Sequence, residues 1–336
     1  MGEIKLRKII NSIRRVVFFL LYYTGIGHLL MYLNRKNLLV PILLFHRVSD
    51  SYDPYWPPLS TQAFKKIIVF FSRKYTIRPV KDLFDHSPVT LKGSCFIVFD
   101  DAYKDFLQNA LPFLKEKNIP VTMFVPVESI KYGKPIWTTW LNMCINQTKT
   151  LSIRSNEQVV YDTSNIRSKV ETAHLLTDWL KSLPYEKFKH NLKSIIEQTG
   201  DNIERSDITV MNWNEIVETA DDVDYQSHTM SHPMLGNINE TNILDYEIGE
   251  AKQIIEQEIK RPVNYISYPI GSYSDAVLES SSKFYDAAFA VDGRLADLKE
   301  LDDPCYKYKI PRFNVSDSDP YELFFRVNGV HKFFGR

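Results

Sequence analysis

Cysteine is scarce in this sequence, which contains only Cys95, Cys144 and Cys305. Three cysteines that lie far apart indicate neither a disulfide framework nor a cysteine metal site. A net charge is also absent, because 41 basic residues balance 41 acidic ones, and the body of the chain has no basic tract. The composition therefore predicts no nucleic-acid partner. Internal repeats and low-complexity segments are lacking too, and 336 residues are sufficient for one large domain.

The N-terminus departs from this balance, since basic residues precede an apolar stretch. The basic residues are Lys5, Arg7, Lys8, Arg14 and Arg15. The stretch from Val16 to Leu33 has 18 residues, at the lower edge of what spans a bilayer. A signal peptide, a spanning helix with its basic end in the cytoplasm and a helix lying on an anionic surface all fit this pattern. We expect residues 1–37 to associate with a membrane, peripherally or as a single anchor, on a side that the sequence does not define.

The rest of the chain alternates short apolar runs with amphipathic segments. The runs Leu38–Phe45, Cys95–Phe99 and Val121–Val127 are typical of buried parallel strands. Strands that alternate with helices predict a parallel sheet, either open or closed into a barrel. The alternation stops over about 131–210, where two predicted helices indicate an insertion or cap.

Two adjacent carboxylates stand at the end of the second apolar run. Phe99 is followed by Asp100 and Asp101, and barrel enzymes carry their active sites at the carboxyl ends of the strands. Neighbouring side chains on extended backbone point in different directions, so one aspartate can bind a metal while the other faces a substrate. A strand that ends in two solvated aspartates fits the same residues, and further ligands must decide between these interpretations.

Histidines complete a possible ligand set. His228 and His232 are four residues apart, which places them on one face of a helical turn, and Pro233 disfavours a longer helix. With Asp101 they give two imidazoles and one carboxylate, a set that leaves coordination positions free for water and substrate. His46 follows the first apolar run and is expected at the same edge of the sheet.

These motifs resemble those of the NodB-type polysaccharide deacetylases, carbohydrate esterase family four. Val98-Phe99-Asp100-Asp101-Ala102 is similar to the first motif, Thr-Phe-Asp-Asp-Gly, and Ser227-His-Thr-Met-Ser-His-Pro233 is similar to the second. Tyr268-Pro-Ile-Gly-Ser-Tyr273 is similar to the third. The resemblance covers about residues 38–130 and 208–315, and in motif style it is strongest to poly-N-acetylglucosamine deacetylases. It implies an α/β fold, a distorted (β/α)7 barrel over residues 38–336 with the insertion at 131–210.

The resemblance also implies roles for the charged residues. Asp101, His228 and His232 become the ligands of one divalent metal, and Asp100 becomes the general base. Zinc is expected from this ligand set, although cobalt, nickel, iron or manganese can use the same donors.

Three features depart from the family pattern. The third motif often begins with an arginine that holds the base, but Ser267 stands in that region, and Arg312 is expected to supply the charge from a later strand. Many members use a C-terminal histidine as general acid, whereas only His331 follows the second motif here, in no matching context. We therefore expect His46 to be the acid, as poly-N-acetylglucosamine deacetylases place a histidine on the opening strand. Ala102 replaces the usual glycine.

The expected substrate is an N-acetylated glycan. By resemblance, Tyr268 and Pro269 would line the acetyl pocket, and Tyr103 is a further candidate for substrate binding. Metal-assisted hydrolysis has support in the residues themselves, whereas the acetylated sugar comes from the resemblance. An O-acetyl esterase, a deformylase of a lipid-linked sugar, a glycan-binding protein without turnover and a membrane-docking partner remain as alternatives.

Overall fold

Seven parallel strands form the centre of the structure, a computed structural model. It describes residues 2–150, 152–154, 159–199, 208–316 and 319–329, and for residues 2–12 and 154 it describes the backbone alone. The strands are β1 (Ile42–Phe45), β2 (Ser94–Asp100), β3 (Thr122–Val125), β4 (Asp224–Ser227), β5 (Tyr265–Ser267), β6 (Ala287–Val291) and β7 (Ile310–Asn314). They pair in the order β1-β7-β6-β5-β4-β3-β2, and β1 also pairs with β2, which closes the barrel. The predicted distorted (β/α)7 barrel is therefore confirmed. His331 lies outside the described residues.

Helices surround this barrel. They are α1 (Gly2–Tyr23), α2 (Ile26–Lys36), α3 (Thr61–Ser72), α4 (Asp82–Asp85), α5 (Leu111–Glu116), α6 (Val127–Tyr132), α7 (Trp137–Gln147), α8 (Ile166–Lys181), α9 (Tyr185–Thr199), α10 (Trp213–Thr219), α11 (Thr241–Asp245), α12 (Ala251–Ile259), α13 (Asp275–Phe284), α14 (Pro304–Lys307) and α15 (Pro320–Val327). Short strands also pair outside the barrel: Leu39–Val40 with Ala296–Asp297, Thr76–Ile77 with β2, and Ser152–Arg154 with Val160–Asp162.

The alternation of side chains along the strands explains which aspartate enters the barrel. Ile42 and Leu44 of β1 pack inside it with Phe96 and Val98 of β2, while the residues between them pack outward against the helices. Asp100 lies two residues after Val98 and therefore continues the inner row. Both faces of these strands are buried, as their continuous apolar runs predicted.

The distortion of the barrel lies between β4 and β5. Their ladder has a single register pair, Ser227 with Ile266. The Gln226 side chain fills the gap, because its Oε1 accepts hydrogen bonds from the backbone N–H groups of Asn264 and Tyr265, both at 2.8 Å. A buried amide oxygen thus replaces ladder bonds and satisfies backbone donors that the short pairing leaves open.

The N-terminal helices pack on the outside of the barrel. Phe18 of α1 contacts Phe325 of α15 with ring centroids 5.6 Å apart, and Tyr22 lies 5.8 Å from Phe324. Among the described residues, no single helix has the length and apolar character needed to cross a membrane. The segment Ile13–Tyr23 of α1 meets this requirement only together with α2, and the two are bent by 66°.

The insertion forms a helical layer that is tied to the barrel loops. Trp137 of α7 is buried and packs against Phe188 of α9, with ring centroids 4.9 Å apart. Asn237, in the loop after β4, donates from Nδ2 to the carbonyl oxygens of Lys181 and Leu183, both at 2.9 Å. These bonds hold the end of α8 beside the carboxyl edge of the sheet, where the candidate site lies.

Candidate active site

Three buried side chains converge at the carboxyl edge of the barrel. Asp101 follows β2, and His228 and His232 follow β4. Nε2 of each histidine lies 3.4 Å from Oδ1 of Asp101, and the three donor atoms all lie within 4.8 Å of one another. The structure therefore brings together the three residues that the sequence proposed as metal ligands.

Left-handed backbone conformations deliver these side chains. Asp101, Thr229 and His232 have φ angles of 75°, 70° and 60°, in a region that costs a non-glycine residue about 1–2 kcal/mol. The N–H of His232 donates to Oγ1 of Thr229 at 3.0 Å and fixes the turn. Ala102 has a φ of 53°, which explains why glycine is the usual residue after the aspartate pair. Such strain is typical of functional sites.

A hydrogen bond behind the cluster orients His228. Its Nδ1 lies 2.8 Å from the carbonyl oxygen of Ser267, so Nδ1–H donates to that carbonyl, and Oγ of Ser267 lies 2.6 Å away. With the proton on Nδ1, the lone pair of Nε2 faces Asp101. This arrangement is common in metal sites, where the second ring nitrogen sets the orientation of the ligand.

The donor set fits a divalent metal. Oδ1 of Asp101 is buried and has no hydrogen-bond partner among the described residues, a costly state for a carboxylate that a cation would relieve. Burial raises the pKa of Asp101, but His228 and His232 outweigh it and lower this pKa to about 2. Burial lowers the pKa of His232 to about 3, so its imidazole is neutral, as a metal ligand must be. Two imidazole nitrogens and one carboxylate suit zinc and leave positions open.

Arg312 holds Asp100 in a buried, two-pronged ion pair. Its Nη1 donates to Oδ1 of Asp100 at 2.8 Å and its Nη2 donates to Oδ2 at 2.9 Å, while Nε donates to the Ala290 carbonyl at 3.2 Å. Burial raises the pKa of Asp100, but the guanidinium and His228 outweigh it and hold this pKa below its usual value. Asp100 is therefore an oriented carboxylate, with Oδ2 3.7 Å from Nε2 of His228. The expected tether for the base is in contact with it.

His46 lines the same cavity as the aspartates. It is half-buried at the end of β1, and its ring meets Trp56 edge-on with centroids 5.2 Å apart. Burial lowers the pKa of His46, and the nearby carboxylates of Asp101 and Asp100 oppose that shift. The histidine thus stands beside the cluster, outside the set of three donors.

These groups lie at the bottom of a cleft of about 500 Å³, which we call the catalytic cleft. The insertion forms one of its walls through Thr138, Thr139 and Asn142 of α7 and through His174, Thr177, Asp178 and Lys181 of α8. Tyr55 and Trp56 form an aromatic wall beside α8, and Ile270 and Asn314 also line the cleft. The sequence placed an insertion at 131–210 but did not identify the residues of its wall, because the helix face that meets the barrel depends on tertiary packing.

A buried arginine positions the aromatic wall. Nη1 of Arg47 donates to Asp53 at 2.7 Å and its Nε donates to Asp105 at 3.1 Å. Oδ1 of Asp53 in turn accepts from the backbone N–H groups of Tyr55 and Trp56, at 2.9 and 3.2 Å. The loop after β1 is therefore fixed by charge-assisted bonds, and its two rings are held over the cleft.

The three proposed substrate-binding residues lie behind the cleft wall rather than on it. Tyr103 is buried, and its hydroxyl is 2.7 Å from Oγ1 of Thr139. The Tyr268 hydroxyl donates to the Tyr308 carbonyl at 2.8 Å, away from the cluster. The residues that line the catalytic cleft include none of Tyr103, Tyr268 and Pro269. Their contact with a substrate remains a prediction, and the structure gives them a supporting position.

Glu247 is a site residue that the sequence did not reveal. It is fully buried, and its carboxylate accepts from the backbone N–H of Ser231 at 2.9 Å and from the Ser231 hydroxyl at 2.6 Å. Its own carbonyl oxygen accepts from the N–H of Met230 at 3.0 Å. Glu247 therefore clamps the loop that carries both histidines. Its only sequence signal is an acidic residue next to the buried row Leu244, Ile248 and Ala251, which also fits a solvated position.

Replacing Glu247 with alanine is expected to weaken metal binding by about 10- to 100-fold, the range seen when outer hydrogen bonds of a metal site are removed. The measurement is metal affinity by competition with a chelator. Glu250→Ala, on the exposed side of the same helical segment, is the matched control and should bind metal like the wild type. Equal affinity in both variants would show that the loop holds its shape without the clamp.

Comparisons with known proteins give a family match for part of the chain and several similar folds. A polysaccharide deacetylase family model matches residues 189–285, and no curated protein sequence matches the chain. The fold is similar to that of the Streptococcus pyogenes deacetylase PplD in complex with acetate, with a TM-score of 0.56 and 13% identity over 85% of this chain and 97% of that one. The fold is also similar to that of IcaB from Ammonifex degensii, with a TM-score of 0.54 and 14% identity over 87% of this chain and 97% of that one. For the putative polysaccharide deacetylase BA0330 from Bacillus anthracis, the TM-score is 0.52 and the identity is 16%, over 85% of this chain and 68% of that one.

The family match and the fold together indicate the class: residues 189–285 match a polysaccharide deacetylase domain, and the barrel that contains them is similar to solved deacetylase structures. The resemblance that the motifs indicated is thereby confirmed. Within this domain, the matched segment contains His228, His232 and Tyr268. Asp100 and Asp101 lie outside that segment, and the closed barrel brings them to the histidines.

Proposed function

We propose that this protein is a metal-dependent hydrolase that removes N-acetyl groups from a glycan. One observation carries the proposal: the buried Asp101, His228 and His232 donors lie beside an aspartate that Arg312 orients, at the bottom of one cleft. These donors would hold a divalent cation, which would supply Lewis-acid chemistry for the attack of water on the acyl group. Zinc is the proposed metal because of the two imidazoles.

Asp100 acts as the general base in this proposal. Both of its oxygens accept hydrogen bonds from Arg312, which keeps the carboxylate ionised and fixed in direction. Each carboxylate oxygen has a second lone pair, so Asp100 can take a proton from the attacking water while it stays paired. A positioned base of this kind contributes about 10²- to 10⁴-fold to a rate.

His46 acts as the general acid toward the leaving amine. Burial lowers its pKa, and an imidazolium of lowered pKa gives up its proton readily. Trp56, which is 36% exposed and in edge contact with His46, offers a ring face for a sugar above the acid. An exposed aromatic ring can pack on the C–H groups of a pyranose.

His46→Ala is expected to slow turnover by about 10²- to 10⁴-fold, as loss of a general acid does, without loss of metal. The measurements are kcat for acetate release and metal content by mass spectrometry. His174→Ala is a matched control, because His174 also lines the catalytic cleft but its Nε2 bonds to the Tyr55 carbonyl at 3.1 Å. Loss of metal from His46→Ala would instead place His46 among the ligands.

The proposal as a whole is tested by release of acetate and formate from N- and O-acylated oligosaccharides, with and without a chelator. We expect chelator-sensitive acetate release from N-acetylated substrates, restored by adding back zinc. Release from O-acetyl esters alone would make the protein an esterase, and formate release would make it a deformylase. Binding without any release would leave only glycan recognition.

A further inference from the structure

The two N-terminal helices expose an unusual amount of apolar surface. Ten of the 22 large apolar side chains that are exposed in the described part of the chain lie between residues 13 and 33. We call this set the N-terminal face: Ile13, Val16, Val17, Phe19, Leu20, Tyr23, Ile26, Leu29, Tyr32 and Leu33. Contiguous apolar surface of this kind marks an interaction site.

The opposite side of α1 is already occupied. Phe18 is buried against Phe325, and Tyr22 packs against Phe70 and Phe324 with ring centroids 5.5 and 5.8 Å apart. A helix that is apolar on both sides, with only one side covered by protein, needs a second apolar environment. The bend of 66° between its two parts and their attachment to the barrel fit a helix pair that lies along a surface.

A basic groove adjoins the N-terminal face. It has a volume of about 570 Å³ between α3 and α15, and three exposed cations line it, namely Lys65, Lys66 and Arg73. Within the described ranges, none of the three has a carboxylate within 4.0 Å. The one acid that lines the groove, Asp319, caps α15 by accepting from backbone N–H groups at 3.0 Å.

Aromatic contacts make the groove and the face one surface. Tyr321 lines the groove, and its ring lies 5.3 Å from Phe19 and 5.0 Å from Tyr22. Phe70 lines the groove as well and lies 5.5 Å from Tyr22. Apolar side chains therefore lie next to cations that have no carboxylate partner within the described ranges, and tyrosines connect the two groups. This arrangement fits the boundary between acyl chains and anionic headgroups.

We propose that the N-terminal face and the basic groove together bind the surface of an anionic lipid bilayer. Leu20, Leu29 and their neighbours enter the acyl boundary, while Lys65, Lys66 and Arg73 contact lipid phosphates. The helices lie in the plane of the membrane, because a helix that crossed the bilayer would lose the contacts of Phe18 and Tyr22 with α15. This surface is separate from the catalytic cleft, so membrane binding and turnover are measured independently.

The test uses the full-length protein in flotation with vesicles of phosphatidylcholine alone or mixed equally with phosphatidylglycerol. We expect strong binding to the mixed vesicles that weakens as salt is raised. Leu20→Glu and Leu29→Glu should each lower the partition coefficient roughly tenfold or more. Replacing Lys65, Lys66 and Arg73 by glutamine should lower binding to the mixed vesicles by roughly fivefold per cation, and should remove the preference over neutral vesicles.

Matched controls separate this effect from general changes in hydropathy or charge. Val217→Glu alters another exposed apolar residue, on α10, and glutamine at Lys187, Lys189 and Lys193 removes three cations from α9. Both controls should bind vesicles like the wild type, and all variants should release acetate from a soluble substrate at the wild-type rate. The proposal is overturned if the wild type does not float with mixed vesicles, or if it forms dimers through this face without binding lipid.

Discussion

Asp100→Asn is expected to abolish measurable turnover, a loss of about 10²- to 10⁴-fold or more, while the metal stays bound. The amide keeps the size of the side chain but is a poor base, so it no longer takes a proton from water. The donors of the cluster are atoms of Asp101, His228 and His232, which the substitution leaves unchanged. The measurements are kcat for acetate release and metal content of the purified variant.

Asp224→Asn provides the matched control inside the same barrel. Asp224 begins β4, far along the strand from the cluster, and its carboxylate accepts from Gln226 at 2.7 Å and from Thr122 at 3.0 Å. This variant should keep near wild-type turnover. Near wild-type turnover in Asp100→Asn would exclude Asp100 as the base, and loss of metal from that variant would make Asp100 a ligand.

Arg312→Met is expected to have the largest effect on stability, lowering the free energy of unfolding by about 3–5 kcal/mol. Arg312 is fully buried, and its removal leaves the Asp100 carboxylate buried without its cation. The pKa of Asp100 should then rise, because burial is no longer opposed by the guanidinium, and turnover should fall with it. Chemical denaturation and kcat, corrected for the folded fraction, are the measurements.

Two further variants separate positioning from folding. Arg312→Met combined with Asp100→Asn should regain part of the lost stability, because the unpaired charge is gone. Arg312→Lys keeps a cation but cannot donate to both oxygens in one plane, so it should be more stable than Arg312→Met and still reduced in kcat. If Arg312→Met unfolds like the wild type, the pair has no role in stability.

The position of the Asp100 and Asp101 pair was determined by local sequence. An apolar run defines a buried strand, its end defines the carboxyl edge of the sheet, and side-chain alternation assigns Asp100 to the inner row. His228 and His232 follow the same rule, since a strand delivers them to that edge. Parallel strands share one edge, so residues far apart in sequence meet without knowledge of the packing between them. For that reason a possible metal site could be predicted from the sequence.

Tertiary structure alone decided the surroundings of the site. The sequence proposed Arg312 as the partner of Asp100, but their two-pronged bond depends on the registers that β1 makes with both β7 and β2, which no local pattern encodes. In the sequence, Glu247 fits a solvated position. It is buried because α12 and the helical turn before it pack against the loop that carries His228 and His232. The insertion wall depends on which face of α8 meets the barrel.

The N-terminus shows the same division. Its sequence established a basic and apolar segment that fits a spanning helix, a signal peptide or a surface helix. The bend between α1 and α2, the burial of Phe18 and the neighbouring groove depend on contacts with α3 and α15, which lie far away in the sequence. Local pattern therefore determined which residues are apolar or can bind metal. The partners they face were decided by packing, because it depends on the shapes of distant segments.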